Sequence, residues 1–579
     1  MTKAFSAPLF AMPLWMRQYR REFFPQDLLA GAIVALMLVP QSMAYALVAG
    51  LPPQYGMYAS ILPLFAYAWF GTSMTLAVGP VAVTSLMTAA ALTPMAAPGS
   101  DEYIAGAALL ALLSGALLFV FGLLRFGFLA KLLSNPVISG FTSGSSLLIL
   151  IGQINPLLGL QVHAGTAIGT LAALLRNIAS LHAATAVVGV TALLLLMVAR
   201  AYSAPLLRKF GCSAGSASLL PKLAPMLIVI GAIIIASALQ LAQRYGVAVV
   251  GVLPRGLPAL DVPVVAHAHF KALLFPAFTI GLINFVSSIS VAQALALKRK
   301  QRIDADAELR ALGAANIASA LSGGFPVNGG FARSLVSFTA GAQTPLAGII
   351  SALFMAVVVT SYTGMFTALP VAVLAATIMV AVAPVIDIAA FRRAWRFDRA
   401  DALALAATAF GVVALGVEAG IAIGIGVSLI SLVWRSSQPH IAVLGRVPFT
   451  EHFRNVLRYK TETLPQVLAL RIDENLLFAN AQAVEQRVRA ELDGQPEVEH
   501  VLLVLSSVSQ IDATALDMLT ELNSDLRARG IALHFAEIKG PVLHRLQQSP
   551  LLQQLSGKVF MSTHEAFKAF SGGTEDYSI

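Results

Sequence analysis

The chain has 579 residues, of which 57% are hydrophobic and only 12% charged, with a mean hydropathy of +0.78, whereas soluble domains carry about 25% charged residues. This excludes a soluble globular or disordered protein and implies an integral membrane protein, in which the net charge of +9 is read by where the basic residues fall and does not point to a nucleic-acid partner. The single cysteine, Cys212, excludes an internal disulfide and a multi-cysteine metal site, and no cofactor or metal is expected.

Residues 1–27 hold two separated arginine-bearing patches and only a short apolar piece. They read as a cytoplasmic segment lying on the membrane surface, without a cleaved signal peptide. Leu28 to Ser100 then contains no Asp, Glu, Lys or Arg. With about 20 apolar residues per span, and fewer where a helix starts at mid-membrane, segments fall at roughly 28–48, 57–73, 80–92, 103–124, 136–154, 181–199, 224–241, 272–297, 308–322, 330–341, 344–362, 366–383, 401–416 and 418–434. The expected architecture is an α-helical polytopic membrane protein with 14 transmembrane segments over 28–435, followed by a cytoplasmic α/β tail at 440–570.

Basic residues test the count. With the N-terminus inside, twenty Lys and Arg fall in inside loops and four (Arg176, Arg244, Arg255, Lys271) in outside loops, which fits fourteen spans with both termini cytoplasmic. Fourteen divides into two sevens, and an odd number per half requires the repeat to be inverted. Gly79-Pro80 and Gly329-Gly330 open the two shortest segments, 250 residues apart.

A helix that starts at mid-membrane leaves its first N–H groups without intrahelical partners and carries the positive end of its dipole there. An inverted repeat would make two such ends converge, so the backbone N–H groups of Val81, Ala82, Phe331 and Ala332 would face one cavity suited to an anion. Thr84, Ser85 and Ser334 are candidate hydroxyl donors. Arg333 is the only charged residue between Ala311 and Ile386. It reads either as a fixed positive charge for an arriving anion or as a cation paired with a carboxylate elsewhere. Glu418 is the remaining acid expected inside a span, at its outer edge.

In the tail, "VLALRI", "LLFAN", "VLLVLSSV" and "IALHFAEI" read as strands between amphipathic helices, and Asp512 as the cap of the helix that begins "ATALDML".

Several stretches resemble the sulfate permease (SulP) anion transporters with a C-terminal STAS domain. "PQYGMYASILPLFAYAWFGTSMT" (53–75) is similar to the family signature, departing at Met57 and at Met74, where a basic residue is usual. "DLLAGAIVALMLVPQSMAYALVAGLPP" (27–53), "GPVAVTS" (79–85) and "NIASALSGGFPVNGGFARS" (316–334) resemble family segments as well. The resemblance implies two inverted seven-helix repeats divided into core and gate domains, homodimerisation, elevator-like alternating access and location in the plasma (inner) membrane. It also implies a substrate site formed by Gln41 and Tyr45 on the first span, Val81, Ala82, Thr84 and Ser85 on the third, Ser287 on the eighth, and Phe331, Ala332, Arg333 and Ser334 on the tenth. Where relatives that couple to protons or sodium often carry a carboxylate, Gln41 and Ser287 are neutral, which favours exchange or uncoupled transport. The tail carries Ala513 after Asp512, where related STAS proteins place a phosphorylatable serine. It is expected to serve assembly or regulation, with a possible cytoplasmic protein partner.

The expected function is secondary transport of a small anion: sulfate, bicarbonate, a dicarboxylate or a halide. Two alternatives remain open, a nucleobase-type permease of the same architecture and a membrane anion sensor signalling through the tail. No cluster of residues suggests an enzyme.

Overall fold

In the computed structural model, residues 12–131, 134–160, 167–209, 214–261 and 267–572 are described. Each of the fourteen expected segments is helical, from Phe24–Val48 to Val417–Ser437. Among the described residues, eight helices are long and apolar enough to cross a membrane. The third and tenth are short, Ala82–Leu92 and Phe331–Thr339. Helices outside the expected segments include Ile388–Phe397, whose Arg392, Arg393 and Arg396 lie apart from Phe391 and Trp395, as an interfacial helix requires. Cys212 lies outside the described residues, as does the side chain of Glu418.

Small residues set the helix packing, because lipid offers no hydrophobic drive for helices to associate and close backbone approach must supply contact instead. Helix Asp101–Leu123 meets helix Ala305–Leu321 at Gly115 and Gly313. A Cβ on Gly313 would lie 2.5 Å from the backbone nitrogen of Phe119, and one on Gly115 would lie 2.7 Å from that of Ile317.

Among the described residues of the membrane part, two acids, Asp27 and Glu308, are fully buried, and the sequence reading passed over both in favour of Glu418. Glu308 accepts hydrogen bonds from the Tyr67 hydroxyl (2.8 Å), the Thr72 N–H (2.8 Å) and hydroxyl (2.6 Å), and the Ser73 N–H (3.1 Å). It thereby fixes the loop that leads to the first short helix. Asp27 accepts from the N–H groups of Gln343 and Thr344 and from the Thr344 hydroxyl, tying the start of helix Phe24–Val48 to the turn before helix Leu346–Val357. Among the described residues neither carboxylate forms an ion pair, and each accepts several hydrogen bonds, the condition under which a buried polar group is tolerated.

The chain divides into two units at Ser428/Leu429. The second contains a six-stranded sheet ordered Phe453–Asn455, Ile441–Arg446, Val467–Ile472, His500–Val504, Ala532–Ala536, Val559–Phe560. The pairs from Val467–Ile472 onward are parallel. Leu470, Leu503 and Phe535 of this sheet are buried with Val484 and Leu519 of the helices. Asp512 caps helix Ala513–Ala528 by accepting from Ala515 N–H (2.9 Å), and its other oxygen accepts from Phe478 N–H (2.6 Å). "LLFAN" is not a strand: only Leu476 pairs, with Ile511, because the Asn480 side chain accepts from Leu477 N–H and folds the segment into a turn.

On adjacent strands, His534 Nδ1 accepts from Lys558 N–H (2.9 Å), and His500 stacks on Phe570 with ring centroids 4.6 Å apart. Burial, then the neighbouring His500 and Lys558, lower the His534 pKa to about 4. Burial lowers that of His500 too, against the pull of Glu499.

Two predictions follow from these packing arrangements. Glu308→Ala strands the buried Ser73 N–H and Tyr67 hydroxyl and the half-buried N–H and hydroxyl of Thr72, at a cost on the order of 1–3 kcal/mol for each buried group left unsatisfied. It should lower the melting temperature of the detergent-solubilised protein, with Glu308→Gln intermediate. For His534 the folded pKa lies below the unfolded value of about 6.5, so the unfolded chain binds more protons as pH falls between the two values. Stability of the second unit should therefore drop from about pH 6.5 towards pH 4, and His534→Gln should flatten that dependence in hydrogen-exchange measurements on strands His500–Val504 and Ala532–Ala536.

Candidate anion site

The two short helices are brought together by backbone. Strand Val78–Gly79 pairs antiparallel with strand Asn328–Gly329, in the register Val78↔Gly329 and Gly79↔Asn328, and Gly330 N–H extends the ladder to the Ala77 carbonyl (3.1 Å). Each strand runs directly into a short helix. Val81 and Gly330 are the extended N-cap residues, and no side chain caps either helix. The carbonyls of Val81 and Gly330 accept from Ser85 and Ser334 N–H. The first-turn N–H groups are therefore those of Ala82, Val83 and Thr84, and of Phe331, Ala332 and Arg333. This shifts the first set one residue from the Val81 and Ala82 pair expected from sequence, because Val81 is still extended.

Helix Phe24–Val48, which carries Gln41 and Tyr45, packs against both short helices. Tyr45 is buried and lies within electrostatic reach of Arg333, and Gln41, one turn earlier, is half-buried. Phe331 (55% exposed) and Ala332 sit at the open end of the second short helix.

Arg333 is 3% exposed, and its Nη1 and Nη2 have no hydrogen-bond partner among the described residues. Its guanidinium folds back over the ladder. A Cβ on Gly79 would lie 2.9 Å from Nη1, and one on Gly330 would lie 3.1 Å from Nε. Gly79 also has φ +154, a conformation that favours glycine. The glycines that open the short helices thus also make the space the cation fills. Arg333 forms no ion pair among the described residues, so the carboxylate-paired reading has no support there. Behind it, a cavity of about 10 Å³, lined in part by Leu38, Met74 and Thr344, has room for about one water.

The hydroxyls divide into two kinds. Ser85 is fully buried and its Oγ has no partner among the described residues. The others are bonded to the scaffold: Thr84 donates to Asn284 Oδ1 (2.7 Å), Ser334 Oγ accepts from Ala77 N–H (2.9 Å), and Ser287 Oγ accepts from Asn328 Nδ2 (2.8 Å) while donating to the Asn284 carbonyl (3.3 Å). Thr84, expected as a donor to the anion, spends its proton on Asn284, whereas Ser334 braces Ala77 with its oxygen and keeps its O–H proton.

Three asparagines escaped the sequence reading. Asn284 Nδ2 and Asn316 Nδ2 both donate to the Val327 carbonyl (3.2 and 3.0 Å), and Asn316 Oδ1 accepts from Val327 N–H (2.9 Å). Asn328 Oδ1 accepts from the Ser288 hydroxyl. Asn284 consequently links the first short helix, through Thr84, to the strand before the second. The available signal was an amide-bearing residue inside otherwise apolar helices, where each unsatisfied polar group is costly.

Several known proteins are similar. The model of the sulfate permease family matches residues 24–408, and that of the STAS domain matches residues 458–566. A probable sulfate transporter of Mycobacterium tuberculosis is 35% identical over 559 residues, covering 96% of both chains. Sulfate transporter 4.1, chloroplastic, of Arabidopsis thaliana is 34% identical over 577 residues, covering 96% of this chain and 82% of that one. Among solved structures, the murine solute carrier 26 family member A9 anion transporter superposes with a TM-score of 0.87 at 23% identity, over 97% of this chain and 93% of that one. The transmembrane domain of the cyanobacterial bicarbonate transporter BicA does so with a TM-score of 0.58 at 22% identity, over 71% of this chain and 98% of that one.

Gly79→Ala should displace the guanidinium and strain the ladder, and Gly330→Ala should press on it more gently. Both should weaken anion binding measured by titration on the purified protein, Gly79→Ala the more severely. Unchanged affinity in Gly79→Ala would separate the guanidinium position from binding.

Proposed function

The chain belongs to the sulfate permease family and carries a STAS domain, and from that premise we propose that it transports a small anion held between the starts of helices Ala82–Leu92 and Phe331–Thr339. The observation that carries the reading is Arg333, buried and unpaired among the described residues, beside two uncapped helix starts. An isolated buried cation is unfavourable by several kcal/mol, and a bound anion would relieve that cost while accepting from first-turn N–H groups and the Ser85 hydroxyl. Gln41 and Tyr45 would wall the site from helix Phe24–Val48. Ser287 and Thr84 would act by holding Asn284 and Asn328 in place, and Ser334, whose oxygen holds Ala77 N–H, would keep its O–H proton for the anion.

Sulfate, bicarbonate, a dicarboxylate or a halide each suits one fixed charge and two helix dipoles. Gln41 and Ser287 carry no titratable proton, and Ser287 is engaged by Asn284 and Asn328, which favours exchange or uncoupled movement over proton symport. The four helices that carry the proposed site residues pack among themselves, as an elevator-like motion of one body with its cargo would need. The placement of basic residues supports cytoplasmic termini in an inner or plasma membrane, with residues 28–435 as the transport part and 440–570 as a STAS tail for assembly or regulation. A homodimer follows the family pattern.

Flux into proteoliposomes should be seen for at least one of labelled sulfate, bicarbonate, a dicarboxylate or chloride. Arg333→Gln should weaken apparent affinity for that anion roughly 10- to 100-fold, the equivalent of losing about 1.5–3 kcal/mol of charge-assisted hydrogen bonding. Wild-type affinity in the variant, or no anion flux under any gradient, would sink the reading. A strong dependence of uptake on a proton gradient would overturn the uncoupled mechanism alone.

A further inference from the structure

Where four pieces of chain meet at one end of the membrane part, they line a second, open cavity of about 590 Å³. They are the segment before helix Phe24–Val48, the loop carrying Met74, the turn after helix His267–Lys298, and the turn before helix Leu346–Val357. The cavity is separate from the short-helix starts, yet Met74 and Thr344 line both it and the small cavity behind Arg333.

Its lining includes Arg17, Arg20, Gln18, Gln301 and Gln343 and contains no Asp or Glu. Arg17 and Arg20 are exposed and form no ion pair among the described residues. The Tyr19 hydroxyl is buried without a hydrogen-bond partner among them. Asp27 is not part of the lining, and its oxygens are occupied by Gln343 and Thr344. The wall is built, not merely exposed. Trp15 is buried and donates from Nε1 to the Ala68 carbonyl (2.7 Å), and Trp15, Tyr19 and Phe23 pack edge to face at 6.3 and 6.2 Å. An aromatic wall at the start of a membrane-spanning helix marks the headgroup level.

We propose that this cavity is a second anion site, distinct from that at Arg333, which binds a phosphate-type oxyanion through Arg17, Arg20 and the Tyr19 hydroxyl. Two guanidinium groups match the geometry of phosphate oxygens, amides supply neutral donors, and the volume lies within the roughly 300–1,000 Å³ of ordinary ligand pockets. The same chemistry is offered by the headgroup of an anionic lipid and by free inorganic phosphate, and basic pockets between helix ends at the membrane surface suit the former. An occupant would bridge the N-terminal segment to Gln343 and Gln301. It would thereby brace the turns joined to helices Phe331–Thr339 and His267–Lys298, which carry Arg333 and Ser287.

The full-length protein in nanodiscs tests this by thermal unfolding. Wild type in phosphatidylcholine is compared with wild type in phosphatidylcholine containing phosphatidylglycerol, and with wild type in phosphatidylcholine titrated with inorganic phosphate at constant ionic strength. The melting temperature is expected to rise in at least one arm. A rise with phosphatidylglycerol alone identifies a lipid headgroup, and a rise with phosphate alone a soluble oxyanion. Arg17→Gln/Arg20→Gln should lose most of the rise, and Gln301→Glu, which adds a carboxylate at an exposed position of the wall, should weaken the apparent affinity tenfold or more. Arg333→Gln should retain the rise. No rise in wild type, a full rise in both cavity variants, or loss of the rise in Arg333→Gln would each overturn the proposal. The last outcome would place the ion at Arg333 and leave the transport reading intact.

Discussion

Backbone inside a hydrocarbon layer must be hydrogen-bonded, and that requirement governs the centre of this molecule. A helix can begin at mid-membrane only if the extended residues before it find partners, and here the two breaks are each other's partners. Val78–Gly79 and Asn328–Gly329 satisfy one another, and that pairing sets two helix starts side by side. The rest of the site is arranged around it: glycines leave room for a guanidinium, Ser334 holds Ala77, Asn284 and Asn316 hold Val327 before the second strand from neighbouring helices, and Asn328 of that strand bonds to Ser287 and Ser288. These contacts are neutral and short-range, so Arg333 is left as the charge that dominates the field at the helix starts.

Much of this was legible in the sequence because membrane chemistry permits few solutions. Charge-free runs locate spans, and Gly-Pro or Gly-Gly interruptions in both halves announce paired short helices. Arg333 stood out as the one charge in a long apolar stretch. What was not legible was the division of labour among hydroxyls. Thr84, Ser85 and Ser334 look alike in sequence at a helix start. Only the approach of Asn284 and Ala77, about 200 or more positions away in the chain, distinguishes Thr84, which spends its proton, and Ser334, which holds backbone with its oxygen, from Ser85, which has no partner among the described residues. Glu308 and Asp27 were missed for a related reason. An acid at a span boundary resembles a solvated helix end until Tyr67, Thr72 and Ser73, or Gln343 and Thr344, are seen to close around it.

In the tail, alternation identified the parallel strands and the helices between them, and Asp512 was readable as a cap from its place before an amphipathic run. "LLFAN" misled because its apolar residues match a buried strand, while Asn480 folds the segment back on itself. Local side-chain to backbone hydrogen bonds compete with sheet pairing, and a pattern of hydrophobicity does not register that competition.

The span between partners has a further consequence, in time instead of space. Thr72 finds Glu308 across 236 positions, and Ala77 finds Ser334 across 257. At a synthesis rate of about 5–20 residues per second, the first half of the membrane part exists for roughly 10–50 s before those partners emerge. During that interval the loop before Ala82 has neither its carboxylate nor its strand. The backbone before the first short helix is therefore completed retroactively by the second half, which makes the earliest part of the site among the last to gain its partners.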